Sequence, residues 1–336
     1  MRRRGLLVGA CAAALGAPAL VRAKEPKLIR FGWANTPAQL IPLIFQNTKI
    51  LKHYGRSYVA RGDYFRGSTP QITGLATGDL EIAGLAFSSF ALAIQNAHMR
   101  DVRLVGDMYQ DGVAGYYSSQ YCVRAAGPIT KVEQLKGKVL ASNGLGGAID
   151  MAMRKMCLAH GLVAGRDYRI IEVEFPAMPA MLNEGKVDLA GMVAPFSLIE
   201  IRGGRARSLF TLKDAMGVAQ TTLLAARAPF IAANRPVLVD FFEDLQRGTQ
   251  WFLDPANRAA GIALVSQFTH RSPSIFDFWL FTHGDYYRDP EVVPNASALQ
   301  NNINVQKALG FLKIDVKVPE FTDLSLVHEA AARTKT

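Results

Sequence analysis

The 336-residue sequence predicts an α/β protein built as two lobes of similar plan. Strand-like and helix-like stretches alternate along the chain, and one strand pattern occurs twice. Gly78-Asp79-Leu80-Glu81-Ile82-Ala83-Gly84-Leu85 returns as Gly185-Lys186-Val187-Asp188-Leu189-Ala190-Gly191-Met192. Each copy comes after a helix-like stretch and consists of a glycine stop, an acidic residue inside an apolar strand, and then Ala-Gly. Any strand after a helix stop shares some of this look. The two copies are also matched in spacing, since Leu104-Val105-Gly106-Asp107-Met108 and Leu209-Phe210-Thr211-Leu212-Lys213-Asp214 lie at comparable distances beyond them.

Leu28–Trp33 alternates as a strand, and Ala38–Leu51 has helix-like apolar spacing after a loop containing Pro37. Tyr58-Val59-Ala60 is a short strand. Thr69 and Pro70 are the residue types of an N-cap and a first helical position, and Gly78 stops that helix. Glu81–Ala86 is a buried strand, Ser88 and Ser89 are candidate caps for the next helix, and Val102–Val105 is again a strand. Gln120–Arg124 then leads through a charged turn, Ile129–Lys138, into the strand Val139-Leu140-Ala141. Thr221–Ala226 is a strand of the same character, and from Arg235-Pro236 the spacing is helical through Phe252. On this reading residues 24–120 and 230–336 form the first lobe and residues 121–229 the second.

Met1-Arg2-Arg3-Arg4, an uncharged run from Gly5 to Leu20, and Val21-Arg22-Ala23 have the three parts of an export signal cleaved near Ala23. The apolar run is short and broken by Gly16 and Pro18, which disfavours a membrane anchor. The arginines fit a Sec or a twin-arginine signal alike. Export places the mature chain, from Lys24, in the periplasm. The formal charge of +10 falls to about +6 once Arg2, Arg3, Arg4 and Arg22 leave with the signal. The remaining basic residues are scattered rather than clustered, which argues against nucleic acid and fits attraction of anionic solutes. Cys122 and Cys157 remain after export; a lone pair of this kind reads as buried thiols, with pairing left open.

Lys131-Val132-Glu133-Gln134-Leu135-Lys136-Gly137-Lys138-Val139, then Met181-Leu182-Asn183-Glu184-Gly185-Lys186-Val187-Asp188, and Pro195 closing the next strand, carry a family resemblance. In order and spacing, from about Leu28 to Asp254, the chain resembles the sulfonate, taurine and nitrate substrate-binding family of ABC importers, also called NMT1/THI5-like. The resemblance implies a type II periplasmic-binding-protein fold with the ligand in a cleft between two α/β lobes. It implies a small, anionic organic solute, of sulfonate, taurine or aromatic-acid type, handed to the membrane permease and ATPase subunits of an importer. A monomer is the natural state for a protein that docks on a permease.

In such a fold, solutes sit where strand ends meet helix N-termini, whose unpaired N–H groups and dipole favour anions. The corners this sequence supplies hold the candidate ligand residues Trp33, Asn35, Arg66, Phe87 and Ser88 in the first lobe. Ser142, Asn143 and Gly146 belong to the second-lobe corner Ser142–Ala148, and Pro195 lies beyond the repeat strand. Ser142 and Asn143 lead that set. Arg66 is the candidate counter-ion, since guanidinium suits sulfonate or carboxylate; as a loop arginine it is equally at home in solvent. Trp33 and Phe87 have packing roles available as well. Gly144, Gly146 and Gly147 do not complete a dinucleotide fingerprint, because Ile149 occupies the third glycine position.

No catalytic residue, metal site or cofactor is expected. The six histidines lack metal-ligand spacing, and neither a nucleophile elbow nor a Walker-type loop occurs. One branch of the resembling family makes a thiamine pyrimidine precursor with a cysteine-dense motif, from which Cys122 and Cys157 depart. An enzyme on the same scaffold and a periplasmic sensor module are the alternative readings.

Overall fold

The computed structural model describes residues 25–334, so the expected export signal over residues 1–23, with Cys11, lies outside the described residues. From β1 (Lys27–Trp33) the chain runs through α1 (Ile41–Ile44), β2 (Tyr58–Tyr64), α2 (Thr69–Thr77), β3 (Ile82–Ala86) and α3 (Phe87–Asn96) to β4 (Val102–Asp111). It crosses to β5 (Gln120–Arg124), β6 (Val139–Ser142), α4 (Ala148–Ala159), β7 (Arg169–Glu172), α5 (Met178–Asn183), β8 (Leu189–Met192), α6 (Phe196–Arg202) and β9 (Ala206–Thr211). After α7 (Leu212–Met216) it returns with β10 (Ala219–Arg227) and ends in α8 (Ala228–Leu253), α9 (Arg258–Thr269), α10 (Ala296–Ala308) and α11 (Ser325–Thr334). Among the described residues no helix is long and apolar enough to cross a membrane.

Two five-stranded sheets result, ordered β2-β1-β3-β10-β4 and β7-β6-β8-β5-β9. They have the same plan. β3 lies parallel to β1 and antiparallel to β10, and β8 lies parallel to β6 and antiparallel to β5. The two copies of the sequence repeat are therefore the central strands of the two lobes, and the two segments beyond them, β4 and β9, are the matching edge strands. The acidic residue of the repeat has the same task in both. Glu81 accepts the Arg30 backbone N–H at 2.7 Å and returns its own N–H to the Arg30 carbonyl. Asp188 accepts the Val139 N–H at 3.0 Å and donates to the Val139 carbonyl. A carboxylate at the head of the strand thus satisfies a ladder N–H on the neighbouring parallel strand.

The second lobe ends earlier than the sequence suggests. β10 pairs with β3 and β4 in the first sheet, so the chain has already recrossed at Ala219 and not near residue 230. Nothing in an apolar strand such as Thr221–Ala226 says which sheet it joins. The helix expected over Ala38–Leu51 shrinks to α1 plus a 3-10 turn at Thr48–Ile50. Ala38, Leu40, Ile41, Leu43 and Ile44 are all buried, so this segment is a plug with apolar residues on every side rather than an amphipathic helix. α2 starts at Thr69 with Ser68 at the N-cap, and Gly78 takes the left-handed C-cap with φ 79°. α3 starts at Phe87, so Ser88 and Ser89 stand inside its first turn and do not cap it.

Candidate functional site

The two crossings, residues 112–119 and 212–218, join the lobes through a buried polar knot. Asp111, fully buried, accepts the hydroxyls of Ser118 and Ser119 and the Ser119 N–H at 2.9 Å. Ser118 Oγ accepts the Lys213 N–H at 3.0 Å, which ties the second crossing to the first. Burial raises the Asp111 carboxyl above its ordinary range against the pull of these serine donors. Ser119 also bonds the Tyr286 hydroxyl at 3.0 Å, and the Tyr286 ring packs on Tyr109 and Tyr117 with centroids 4.8 and 5.0 Å away. Burial pushes all three phenols up, Tyr109 to about 12, so they work as neutral donors and acceptors.

Tyr117 and Ser197, in the first turn of α6, share a hydrogen bond of 2.5 Å between hydroxyls, joining the hinge to the second lobe. Asn35 and Thr222 stand at Tyr109, their side chains opposing the rise in its pKa by hydrogen bonding. Asn35 is held by Gln39, whose Oε1 accepts the Ala34 and Asn35 N–H groups at 2.8 and 3.2 Å. Arg288, buried and paired with Asp285 at 2.7 Å, donates to the Pro37 and Ala38 carbonyls and fixes the loop that carries Asn35.

The other sequence candidates divide. β1 and β3 are neighbours in the sheet, with Gly32 opposite Ala83, so Trp33 is level with Gly84 and the Phe87-Ser88 corner lies a few residues further along the same edge. Phe87 is a core residue at zero exposure, and its ring belongs to the packing of the first lobe. Ser68 Oγ accepts the Ala86 N–H at 2.9 Å and binds this corner to the start of α2. The first turn of α3 carries no acidic residue and no side-chain cap, and Phe87 and Ser88 within it are buried. Arg66 is exposed and without a hydrogen-bond or ion-pair partner among the described residues.

The second-lobe corner differs from the expectation of bare backbone. Leu145 N–H donates to Glu172 at 2.7 Å, Gly146 N–H to Asp150 Oδ2 at 2.7 Å, and Gly147 N–H to the Gly144 carbonyl. Asp150 is buried in the first turn of α4 and paired with Arg154 at 2.8 Å. The corner therefore already holds its own carboxylate, which disfavours a second anion there. Gly146, at φ 75°, also lies against Phe311. Ser142 is buried and turned toward the Gly144 carbonyl at 3.4 Å, Asn143 is exposed, and Pro195 is buried ahead of α6. The Asp150 signal was present in the sequence, four residues after Gly146.

α6 also meets the first lobe by stacking. Arg271 lies over Phe196 at 5.7 Å and Arg202 over Phe278 at 4.6 Å, while Leu198 packs on the first lobe's core. Cys122 and Cys157 sit unpaired in apolar cores, their thiols pushed by burial up to about 12 and about 11. Two hollows are found in the first lobe. One has room for about a single water beneath Asp107 and Arg288; the other, with an empty volume of about 680 Å³ that includes open solvent, lies at the surface beside Leu80 and Phe230.

Two sheets of one plan joined by two crossings define a two-lobed protein of the type II periplasmic-binding-protein fold. The chain belongs to the NMT1/THI5-like family, whose model matches residues 69–259. It is similar in fold to the alkanesulfonate-binding protein SsuA from Xanthomonas axonopodis pv. citri bound to MOPS, with a TM-score of 0.68 and 18% identity over 90% of this chain and 100% of that one. The nitrate-binding protein NrtA from Synechocystis PCC 6803 superposes with a TM-score of 0.71 and 15% identity over 92% and 89%. The desulfurization enzyme DSZB gives 0.67 and 12% over 92% and 99%. No curated protein sequence matches the chain.

Proposed function

We propose that the protein is the exported solute-binding component of an ABC importer, taking a small organic anion into the interlobe cleft and passing it unchanged to the permease. The observation that carries this reading is the open first turn of α3 beside the neutral donors Asn35, Tyr109 and Thr222, with Arg66 unpaired nearby. Unpaired N–H groups favour an anion without the desolvation cost of a buried counter-charge. Ser88 belongs to that turn. Trp33 ends the neighbouring strand β1, and Pro195 forms the second lobe's contribution as a neutral group, while Ser142 and Asn143 lie at the corner already served by Asp150. Ligand docks first on the first lobe, and closure of the second lobe brings Ser197 and Pro195 over it, so occupancy and closure are coupled.

The enzymatic reading draws on the likeness in fold to the desulfurization enzyme. A thiolate nucleophile finds no support, since Cys122 and Cys157 are core thiols held protonated by burial. A thermal-shift screen against alkyl and aryl sulfonates, carboxylates and nitrate tests the proposal, because a ligand that binds only the native state raises Tm. Saturable stabilisation by an organic anion supports it; a flat response across the panel contradicts it.

A further inference from the structure

We infer that Asn143-Gly144, just past the end of β6, is a site of spontaneous covalent modification, where the asparagine cyclises and reopens as aspartate or isoaspartate and the second-lobe corner gains a carboxylate. It is the only Asn-Gly step in the sequence, and every other asparagine precedes a residue with a side chain. A glycine, lacking Cβ, lets its own nitrogen swing toward the preceding side-chain amide; any larger residue hinders that approach. The structure leaves both reacting groups free. The Asn143 side chain is exposed, and neither it nor the Gly144 N–H has a hydrogen-bond partner among the described residues. The space around Gly144 is open too, since a Cβ built there would meet nothing within 4 Å. Several other asparagines are engaged. Asn183 donates to Glu200 at 2.9 Å, Asn234 donates to the Phe230 carbonyl at 3.0 Å, and Asn295 caps α10.

In the first step the Gly144 nitrogen gives its proton to solvent base and attacks Asn143 Cγ. A C–N bond closes a five-membered imide, and the side-chain nitrogen leaves as ammonia. Water, the only co-reactant, then opens the imide at either carbonyl. One opening gives aspartate; the other gives isoaspartate, in which the main chain runs through the side-chain carbon and is longer by a methylene. The corner is built to feel either product. Glu172 holds the Leu145 N–H and Asp150 the Gly146 N–H, each at 2.7 Å. A further carboxylate at position 143 stands just ahead of both amides and repels the groups that hold them. The extra methylene of isoaspartate falls between β6 and α4, where it displaces the loop from those partners. On the solute-binding reading, added negative charge at this corner also opposes an anion.

The test is incubation of the mature protein in mildly alkaline buffer with peptide mapping by mass spectrometry over time, on wild type and Gly144→Ala. The alanine fits without strain, because Gly144 is not among the positive-φ glycines and its Cβ would point into open space. Unchanged Tm checks this. In wild type the peptide holding Asn143 should convert ahead of every other asparagine peptide, and Gly144→Ala should lose most of that rate. Amide hydrogen exchange at Leu145 and Gly146 should be faster in Asn143→Asp than in wild type. Asn143 persisting while other asparagines convert, or converting equally fast in Gly144→Ala, overturns the modification site. Unchanged exchange in Asn143→Asp overturns its effect on the corner. Neither readout uses a ligand, so both stand apart from the solute-binding reading. Aged wild type should also bind an organic anion found by screening several-fold more weakly than fresh protein, while aged Gly144→Ala should not. Equal affinity overturns the charge effect, whereas failure of every organic anion to bind overturns only the solute-binding reading.

Discussion

Ser118 Oγ donates to the buried Asp111 carboxylate and accepts the Lys213 N–H, so this hydroxyl, beside the Leu212 N–H to Ser119 carbonyl bond, ties together the two crossings between the lobes. Replacing Ser118 by alanine removes both bonds and leaves a buried acceptor short of a donor. The expected cost is about 1–3 kcal/mol, measured by urea unfolding. Because the knot is also the hinge, opening and closing should change with it; ligand dissociation from Ser118→Ala, monitored by stopped flow, should be faster than from wild type.

The contrast between α3 and α4 gives a charge prediction. Asp150 fills the first turn of α4, whereas the first turn of α3 is empty of acids. Ser89→Asp puts a carboxylate into that turn, where the helix dipole welcomes it and an anionic ligand does not. Tm should hold or rise, while affinity for an anionic ligand should fall at least about tenfold. Asn143→Ala should leave anion affinity within about twofold in the same titration, because its corner is already served by Asp150.

Asp107 supplies a pH dependence. It is buried, bonds Gln220 Nε2 and the Asp289 N–H, and burial raises its pKa from the ordinary 3.8 to about 7. The folded protein therefore holds this proton more firmly than the unfolded chain. Its contribution to stability is greatest below pH 3.8 and declines as pH rises to about 7, by up to about 1.4 kcal/mol per pH unit inside the window. Asp107→Asn should flatten this decline in a plot of unfolding free energy against pH. A slope identical to wild type would mean the carboxyl is not the titrating group.

Arg202 and Arg271 hold α6 against the first lobe by stacking on Phe278 and Phe196. Exposed pairs of this type are each worth about 0.5–1 kcal/mol. Replacing both arginines by alanine should raise the radius of gyration in small-angle scattering of the ligand-free protein. The same change should speed ligand release without altering the ligand preferred.

The sequence repeat was legible because a strand headed by Glu81 or Asp188 needs that carboxylate for a local backbone task, and local tasks leave local patterns. The place of β10 was not, since strand chemistry is the same in either sheet and only long-range pairing decides. The anion seat shows the same division. A helix start was visible at Phe87-Ser88, but that it is uncapped while the N–H groups of Leu145 and Gly146 are spent depends on Glu172 and Asp150 folding back onto the loop. The Tyr109, Tyr117, Ser197 and Tyr286 cluster was missed altogether. Its members come from three separate stretches of chain that meet only in the folded hinge.

The central claim is that the cleft binds a small organic anion and releases it unaltered. The most direct measurement is titration calorimetry of the mature protein with an organic anion found by screening, and then mass analysis of the recovered ligand. Saturable binding of one ligand per chain and complete recovery at the original mass are predicted. Recovery of a product of different mass, or binding that does not saturate, would contradict the claim.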